Sequence, residues 1–289
     1  MRAAQPVSAN HVQRDGVRLG YEVFGQGEPT ILLLPTWTII HSRFWKMQVP
    51  YLSRHYRVIT YDGPGNGRSD RVTDPARYTA DSYAADAAAV LDACEVDRAV
   101  VAGLSLGAQY ATRLASLHPE RVLGLVLIGP SLPLSGPILE RAGIVDNFLE
   151  PYPENPEGWD KYNLAFWHAD YPDFVEFFFS QAFNEPHSTK PREDAVGWAL
   201  EGGPESLEAE ARGDPMELTG EEIFAAVTCP TLVIHGTDDR IQSHRVGVEA
   251  ARLSNGTLAS LAGSGHIPNV RDPVRVNLLL REFVERLIA

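Results

Sequence analysis

Short apolar runs bounded by turn residues alternate with segments of helical periodicity along most of this 289-residue chain. Runs such as TILLLP (30–35) and AVVAG (99–103) are apolar throughout, which indicates strands covered on both faces. Such strands, separated by helices at spacings of about 20 to 30 residues, favour a parallel sheet with helices on both of its faces. We therefore predict an α/β fold, built on a doubly wound, mostly parallel sheet of eight strands.

The sequence patterns give approximate bounds for the elements of this sheet. The segment VRLGYEVFG (17–25) alternates and ends in glycine, so we expect it to form a hairpin with residues 8–14. The eight predicted strands cover residues 8–14, 17–25, 30–35, 56–62, 99–103, 121–129, 229–236 and 257–263. Helices are predicted for SRFWKMQVPYLSR (42–54), for 78–94, from the end of the fifth strand to about residue 118, and for about 272–288.

The alternation stops after residue 129, at the proline-rich stretch GPSLPLSGP, and resumes near residue 219. Residues 130–218 hold 18 acidic and 5 basic residues, a net charge of −13, whereas the charges of the remaining chain balance. The same segment carries 13 of the 26 aromatic residues. We interpret it as a mainly helical insertion, a cap or lid over an α/β core formed by residues 1–129 and 219–289.

Composition disfavours several classes of partner and site. A net charge of −13 without a block of basic residues makes nucleic acids and anionic membrane surfaces poor partners. The two cysteines, Cys94 and Cys229, lie far apart outside any CxxC or Cys/His cluster, which disfavours a disulfide scaffold or structural zinc. No apolar stretch is long enough for a signal peptide or a membrane span. We expect a soluble, cytoplasmic protein without membrane insertion; its oligomeric state is left open, with a homodimer as one alternative.

A serine lies between two glycines where the fifth predicted strand meets the next helix, in VVAGLSLGAQYATRLA (100–115). A strand that runs into a helix through G-x-S-x-G is a nucleophile elbow, which lifts the serine hydroxyl above the sheet edge at a helix N-terminus. Gly103 and Gly107 give this tight turn the room it needs. A plain loop serine is the alternative interpretation, but the flanking strand and helix favour Ser105 as a nucleophile.

A serine hydroxyl needs a base, and that base needs an acid to orient it. In elbow enzymes the chain order is serine, then an acidic residue, then histidine, each on a loop after a strand. Asp238 and Asp239 follow the strand CPTLVIHG, and His266 lies in the glycine-rich loop LAGSGHIPNVRDP before the last helix. These positions fit a Ser-His-Asp catalytic triad.

Four stretches together resemble the α/β-hydrolase superfamily over nearly the whole chain: GLSLG, DGPGNGRS, GTDD and GSGHIP. The resemblance implies the α/β-hydrolase fold with a lid and a serine nucleophile. In that family the acid follows the strand-end glycine by three positions, which selects Asp239 over Asp238. Asp238 is then a solvated neighbour or a brace of the loop.

An oxyanion hole needs two preorganised N–H donors. One is expected from the backbone of Leu106, directly after the nucleophile. The other is expected from Trp37, in the loop after TILLLP, where the family's usual His-Gly is replaced by Pro35-Thr36. Proline offers no N–H, and threonine lacks the conformational freedom of glycine. Thr36 either adds its hydroxyl as a third donor or only restrains the loop.

Two further groups of residues have structural interpretations. The stretch GPGNGRS (63–69) resembles a phosphate-binding glycine loop but lacks the last glycine and a following helix, so we expect a loop braced by Asp62 and Ser69. The nine histidines contain no HExxH pair, and we expect neither a metal nor a cofactor. His41 is expected at the entrance of the site or on the surface, and His244 on the polar surface.

Aromatic residues recur at helical spacing in NLAFWHADYPDFVEFFFSQAF (163–183), and most are expected to pack the insertion onto the core. The inner face of a lid also forms a pocket wall. We therefore expect the small-molecule substrate to contact four residues: Thr36, Trp167, Phe178 and Trp198. The acidic insertion disfavours acyl-CoA, phosphate esters and dicarboxylates, unless Lys190 or Arg192 supplies a local clamp. It favours a neutral or cationic, largely apolar carbonyl compound, with ester, lactone, thioester and amide all open.

Three hypotheses for the function follow. The leading one is a carboxylesterase-like serine hydrolase that cleaves an ester or lactone through an acyl-enzyme. The second keeps the triad and changes the electrophile or the acceptor, as in carbon–carbon bond hydrolases, acyltransferases and perhydrolases. The third is a hydrolase-fold protein that binds a small molecule.

Overall fold

The structure is a computed structural model that describes residues 4–134, 144–213 and 219–289. Its strands are β1 (Ser8–Arg14), β2 (Val17–Phe24), β3 (Thr30–Leu33), β4 (Arg57–Tyr61), β5 (Ala99–Leu104), β6 (Val122–Ile128), β7 (Thr231–Gly236) and β8 (Thr257–Leu261). They form one sheet in the order β1-β2-β4-β3-β5-β6-β7-β8. The pairs β1/β2 and β2/β4 are antiparallel and the other neighbours are parallel. The predicted α/β fold with an eight-stranded, mostly parallel sheet is confirmed.

The predicted hairpin joins β1 to β2 through a two-residue turn. Asp15 and Gly16 have φ values of 48° and 79°, and Arg14 pairs with Val17 across the turn. Two consecutive positive φ angles give a turn whose twist matches that of the flanking strands, and Asp-Gly is a favoured sequence for it. The local sequence thus sets the register of this arm of the sheet.

Helices cover both faces of the central strands. They are α1 (Val49–Leu52), α2 (Ala80–Ala93), α3 (Leu106–Leu117), α4 (Ile144–Asn147), α5 (Leu164–Ala169), α6 (Tyr171–Ala182), α7 (Thr189–Ala199), α8 (Pro204–Ala211), α9 (Gly220–Ala225), α10 (His244–Leu253), α11 (Pro268–Arg271) and α12 (Pro273–Ile288). One buried cluster includes residues of α2, α3 and α10, and the other includes residues of α12 and of the segment 42–52. Because both faces are covered, β3, β5 and β7 are buried along their whole length.

The segment predicted as one helix over 42–54 folds instead as a 3-10 helix, Ser42–Met47, followed by the short α1. Pro50 has no N–H to donate to the carbonyl of Lys46, so an unbroken α-helix through this point would lack that hydrogen bond. The break leaves Trp45 buried, with its indole N–H donating to the Leu34 carbonyl at 2.9 Å. This contact fixes the segment against the chain that leaves β3.

Helices α4 to α8 follow one another between β6 and β7, in what we call the β6–β7 segment (residues 130–218). Residues 135–143 and 214–218, near its two ends, lie outside the described residues. Aromatic side chains of α6 pack toward the core: the rings of Phe178 and Trp37 have centroids 4.4 Å apart. The helical character expected for this segment is therefore present in its described part.

The parallel strands place their carboxyl ends at one edge of the sheet, which is where ligands bind in open α/β sheets. The loops after β3, β5, β7 and β8 carry Trp37, Ser105, Asp239 and His266 to that edge. Within the described ranges, no helix combines the length and the apolarity that crossing a bilayer requires.

Candidate active site

Ser105 occupies a strained turn between β5 and α3. Its backbone has φ 55° and ψ −119°, a conformation that a residue with a side chain adopts only when its surroundings impose it. Three hydrogen bonds impose it: the Ser105 N–H donates to the Ile128 carbonyl at 3.0 Å, and the Ser105 carbonyl accepts from the N–H groups of Ala108 and Ser131 at 3.0 and 3.1 Å. The position of the hydroxyl is thereby fixed at the start of α3.

Two glycines make this turn sterically feasible. A Cβ on Gly103 would lie 2.0 Å from the carbonyl oxygen of Gly107, and a Cβ on Gly107 would lie 2.3 Å from the carbonyl oxygen of Pro35. Any side chain at either position would force the backbone apart. The second contact also seats the loop after β3 directly against the elbow.

His266 pairs with Asp239 beneath the edge of the sheet. The imidazole Nδ1 lies 2.8 Å from Asp239 Oδ2, and both side chains are buried. Asp238 is exposed, and its Oδ1 accepts a hydrogen bond from the Thr237 hydroxyl at 2.8 Å. The structure therefore pairs Asp239, and not Asp238, with the histidine.

The Asp239 carboxylate accepts four hydrogen bonds. Oδ1 accepts from the backbone N–H groups of Ile241 and Gln242 at 2.7 and 2.9 Å, and Oδ2 faces His235 Nε2 at 2.9 Å as well as His266 Nδ1. Burial alone would raise the pKa of Asp239, but the charges and hydrogen bonds of His266 and His235 hold it below its ordinary value. Because an ionised carboxylate only accepts hydrogen bonds, both facing imidazole nitrogens carry protons. The remaining nitrogen of His266, Nε2, is thus the one with a free lone pair.

Sequence reasoning missed His235. It lies in β7 with a fully buried side chain, and Gly247 of α10 packs so tightly against its ring that a Cβ there would come within 2.5 Å of Nδ1. That Nδ1 is buried and has no hydrogen-bond partner among the described residues. The signal for it was a polar residue inside the apolar strand CPTLVIHG, four positions before Asp239.

The β6–β7 segment holds the two loops that carry the acid and the histidine. Directly after α6, the Asn184 amide donates to the Asp238 carbonyl at 2.9 Å. The next residue, Glu185, accepts the N–H of Gly265 at 2.6 Å through Oε1. Neighbouring residues of one segment therefore fix the relative positions of the loops after β7 and β8.

The loop at 63–69 is a braced structural loop, as predicted. Asp62 Oδ1 accepts the N–H of Ser42 at 2.7 Å, and Oδ2 accepts the N–H of Arg68 at 2.8 Å. The Ser69 hydroxyl donates to the Asp62 carbonyl at 2.6 Å and accepts the N–H of Gly20 at 2.9 Å. The predicted bracing roles of Asp62 and Ser69 are confirmed.

The predicted oxyanion donors follow two neighbouring strands, Trp37 after β3 and Leu106 after β5. Leu106 is the first residue of α3, where helix N–H groups have no acceptor within the helix. Trp37 lies in a turn after β3 that is closed by the Ile40 N–H, which donates to the Trp37 carbonyl at 3.0 Å. Thr36, directly before Trp37, is buried. The loop after β3 is thus ordered without the usual His-Gly.

A cavity of about 110 Å³ brings most of the predicted site residues together. Ser105 and His266 line it, as do Leu106, Trp37 and two of the predicted substrate contacts, Thr36 and Phe178. None of the described lining residues is Asp, Glu, Lys or Arg. The full lining is Thr36, Trp37, Ile40, Phe44, Leu104, Ser105, Leu106, Ser131, Tyr162, Phe178, Phe179, Ala182, Ile241, Gln242, His266 and Ile267.

The other two predicted substrate contacts are not among the described residues that line this cavity. Trp167 is fully buried on α5, where its ring packs against Phe148 and Phe174 with centroids 5.0 Å away in each case. Trp198, at the end of α7, lies beside His41 with ring centroids 5.2 Å apart and borders separate small hollows. Helical spacing identified Trp167 as inward-facing, and Trp198 was expected as a further aromatic contact outside that pattern, but the inner face of the β6–β7 segment is wider than the cavity.

His41 is neither at the entrance of this cavity nor on the surface. It is 5% exposed, its Nδ1 accepts the N–H of Arg43 at 3.3 Å, and burial lowers its pKa. His244 is partly exposed and its Nε2 lies 2.9 Å from the Ser260 hydroxyl, which agrees with a polar surface position. Across the described ranges, no cluster of three or more His, Cys, Asp or Glu side chains is arranged to hold a metal ion.

Comparison with known proteins supports the fold and the class of protein. A family model of the alpha/beta hydrolase fold matches residues 29–273. The non-heme haloperoxidase of Rhodococcus erythropolis is 30% identical over 282 residues, which cover 94% of this chain and 97% of that protein. The 2-hydroxymuconate semialdehyde hydrolase of Pseudomonas sp. (strain CF600) is 28% identical over 283 residues, which cover 93% of this chain and 91% of that protein.

A solved structure with comparable similarity is Est816, an N-acyl homoserine lactone degrading enzyme. It superposes with a TM-score of 0.75 at 25% identity and covers 94% of this chain and 99% of its own. The family match spans well over half of the chain, and the relatives align over nearly all of it. The chain therefore belongs to the alpha/beta hydrolase fold family and is a hydrolase-fold enzyme.

Proposed function

We propose that this protein is a serine hydrolase that cleaves a neutral, largely apolar carboxylic ester or lactone. The observation that carries the proposal is that Ser105 and His266 line the same cavity, with His266 paired to a buried Asp239. A hydroxyl on a strained elbow, a base and an orienting acid are the parts that acyl transfer needs.

The reaction has two acyl-transfer steps. His266 Nε2 accepts the hydroxyl proton as Ser105 Oγ attacks the substrate carbonyl carbon, and it then returns that proton to the departing alkoxide. Water attacks the acyl-enzyme in the second step, with His266 again taking and returning the proton, so that acid and free enzyme are released. Asp239 stays ionised throughout, because two imidazoles and two backbone N–H groups stabilise its charge.

Two backbone N–H groups, those of Leu106 and Trp37, form the proposed oxyanion hole. The Leu106 group adds the positive end of the α3 dipole, which favours negative charge on the carbonyl oxygen. The Pro35 carbonyl packs against Gly107. The loop that carries Trp37 therefore contacts the first turn of α3, which carries Leu106. The hydroxyl of Thr36, which lines the same cavity, is a third candidate donor.

The cavity favours an uncharged substrate. Its described lining is apolar apart from a few groups, among them Gln242, whose amide donates to the Ser131 hydroxyl at 3.0 Å. An ionised substrate group would be desolvated there without a facing counter-charge. The similarity to a lactone-degrading enzyme supports including lactones beside open-chain esters.

The β6–β7 segment is the proposed cap of this site, with residues 130–218 as cap and 1–129 and 219–289 as core. Its residue Phe178 lines the cavity, and its residues Asn184 and Glu185 hold the acid and histidine loops. We further place the protein in the cytoplasm, since Cys94 and Cys229 are both free thiols, and we assign it a small-molecule substrate.

A second candidate keeps the triad and changes the electrophile or the acceptor. The similarity to a haloperoxidase and to a semialdehyde hydrolase favours keeping it, because the names of these relatives denote different reactions on one fold. Product analysis separates the two candidates. Acid and alcohol as the only products support ester hydrolysis, whereas a peracid formed with added hydrogen peroxide supports transfer to peroxide.

The test of the proposal is hydrolysis of p-nitrophenyl esters and small lactones by the wild type and by Ser105→Ala. The variant is expected to lose activity by several orders of magnitude while keeping its melting temperature, because the other hydroxyls of the lining residues, those of Thr36, Ser131 and Tyr162, are not on the elbow at the start of α3. Undiminished hydrolysis by Ser105→Ala would overturn the proposal.

A further inference from the structure

Glu210 is an acidic residue of the β6–β7 segment that reaches into the α/β core. It lies on α8, and its Oε1 accepts a hydrogen bond from the Tyr110 hydroxyl of α3 at 3.1 Å. Thr38 and Trp37, both in the turn after β3, also lie beside its carboxylate, and their side-chain donors lower its pKa. One carboxylate therefore joins α8, α3 and the turn that carries the proposed oxyanion donor.

The surroundings of Glu210 are aromatic. The rings of Tyr83 and Tyr110 stack with centroids 3.9 Å apart, and the Tyr83 hydroxyl lies 3.3 Å from Thr38 Oγ1. The charge of Glu210 raises the pKa of the phenols of Tyr83, Tyr110 and Tyr78 beyond the rise caused by their burial. These phenols are neutral donors at ordinary pH, so hydrogen bonds stabilise the carboxylate charge here.

The nearby charged groups of the elements that pack against α8 are engaged elsewhere. Arg77, from the 3-10 helix Pro75–Tyr78, contacts Asp86 at 3.0 Å. On the other side, His168 of α5 and Arg212 both contact Glu208, at 2.8 and 2.7 Å. Glu208 and Glu210 thus differ although they are two positions apart: Glu208 contacts an imidazole and a guanidinium, whereas Glu210 faces hydroxyl and indole donors.

Burial raises the pKa of Glu210 to about 7, and the hydrogen bonds from Thr38, Tyr110 and Trp37 limit that rise. The hydrogen-bond donors around Glu210 determine how its protonation affects the contact. The ionised carboxylate can accept from all three side chains, whereas the protonated acid has one oxygen that also carries a proton and competes with them. Acidification through neutral pH therefore weakens the contact between α8 and the turn.

Pro35 contributes no N–H to the turn. The other described hydrogen bonds of the turn are those from the Asn66 amide to the Thr38 and Ile40 carbonyls at 2.7 and 3.5 Å, from the Ile40 N–H to the Trp37 carbonyl, and between the Thr38 and Tyr83 hydroxyls at 3.3 Å. An oxyanion donor acts only when it is held in place before charge develops. Side-chain bonds to Trp37 and Thr38 restrain the residues on which that placement depends.

We propose that Glu210 is a positioning residue: its ionised carboxylate holds the Trp37-Thr38 turn from the α8 side and so keeps the Trp37 N–H aimed at the substrate carbonyl. This inference rests on the proposed function, because it assumes that Trp37 is an oxyanion donor. If Glu210 acts in this way, the packing of α8 against the core and the protonation of Glu210 both affect the position of the Trp37 N–H.

The experiment compares Glu210→Gln with the matched control Glu208→Gln, which removes the same charge from the same helix. The kcat for p-nitrophenyl acetate is measured from pH 5.5 to 8.5 for both variants and the wild type. The ratio of the wild-type kcat to that of Glu210→Gln is expected to rise from near one at the acidic end to about tenfold above pH 7.5, with little change in KM. That factor corresponds to about 1.4 kcal/mol of lost transition-state stabilisation. The ratio for Glu208→Gln stays near one at every pH.

Two results would overturn the inference. A ratio for Glu210→Gln that is near one at all pH values means that the carboxylate does not act on the turn. A reduced kcat with the same ratio at pH 5.5 and 8.5 means a merely structural role. If Glu210→Gln does not fold, Thr38→Val is used, because it removes one of the donors to Glu210 from the turn. The ratio of the wild-type kcat to that of Thr38→Val is expected to rise with pH in the same way but by a smaller factor. A ratio that does not change with pH would also contradict the inference.

The Ser105→Ala variant separates this inference from the proposed function. Loss of activity in Ser105→Ala together with wild-type behaviour of Glu210→Gln rejects the positioning role and leaves the serine hydrolase intact. Activity retained by Ser105→Ala rejects the proposed function itself.

Discussion

The two ends of the candidate site are built in different ways. At the acid end, the Asp239 carboxylate takes four hydrogen bonds and lies on loops held by Asn184 and Glu185. At the proposed oxyanion end, the turn with Trp37 follows Pro35-Thr36 and accepts a hydrogen bond from the Asn66 amide at the Thr38 carbonyl, with the Glu210 carboxylate of α8 as its proposed further support. The acid end follows the spacing of the family, whereas the oxyanion end is particular to this chain.

Because of this difference, we expect substitutions at the two ends to affect activity in different ways. The acid end is held by many bonds, several of them from the backbone, so only loss of the acid itself is expected to abolish its function. The oxyanion end depends on close contacts, above all that between Gly107 and the Pro35 carbonyl, so a small displacement there is expected to reach the substrate.

The largest expected effect is that of Asp239→Asn. An amide in place of the carboxylate favours the wrong tautomer of His266, and kcat is expected to fall about 10⁴-fold, as for the equivalent change in a serine-protease triad. Asp238→Asn is the control, because the Asp238 side chain is exposed and accepts its hydrogen bond from the neighbouring Thr237 hydroxyl. Steady-state hydrolysis of p-nitrophenyl acetate measures both, and a larger loss in Asp238→Asn would reverse the assignment of the acid.

Gly107→Ala tests the oxyanion end. The added Cβ would lie 2.3 Å from the Pro35 carbonyl oxygen, so the loop with Trp37 must move. Displacement of one oxyanion donor costs about 10²- to 10³-fold in kcat. The control is Gly197→Ala on α7, where the same methyl meets nothing within 4 Å and is expected to leave kcat unchanged. Equal kcat values in the two variants would show that the contact with Pro35 does not matter.

His235→Leu sharpens the picture of the acid end. It removes one hydrogen bond to the Asp239 charge, which is worth about 1.5 kcal/mol or more, so kcat is expected to fall about tenfold at constant KM. His235 lowers the pKa of Asp239, so in its absence that pKa is expected to rise and the carboxylate to be protonated at a higher pH on acidification. His244→Ala is the control, and a wild-type kcat in His235→Leu would assign His235 to packing alone.

The smallest expected effect concerns substrate selection. Phe178 lines the cavity and Phe177, its neighbour on α6, packs against Trp159 instead. Phe178→Leu is expected to change the relative kcat/KM values of short and long acyl esters a few-fold, whereas Phe177→Leu leaves them as in the wild type. Identical acyl preferences in the two variants would exclude Phe178 from the acyl-binding wall.

The sequence predicted the parts of the site that depend on local spacing. Ser105 and its two glycines form the G-x-S-x-G pattern, which predicts a tight turn from a strand into a helix. Asp239 and His266 follow predicted strands within a few residues. The sequence did not predict His235 or Glu210, because their proposed roles depend on neighbours that only the folded chain supplies. His235 shares an oxygen of Asp239 with His266, and Glu210 reaches from α8 to Tyr110 of α3. Trp167 and Phe178 likewise share one aromatic pattern, and only the packing of α5 and α6 decides which of them reaches the cavity.

The central claim is that Ser105 is an activated nucleophile. The most direct measurement is the intact mass of the wild type and of Ser105→Ala after treatment with a fluorophosphonate, which reacts with serines activated in this way. We predict a single adduct on the wild type and none on the variant. An adduct on both proteins, or none on a folded wild type, would contradict the claim.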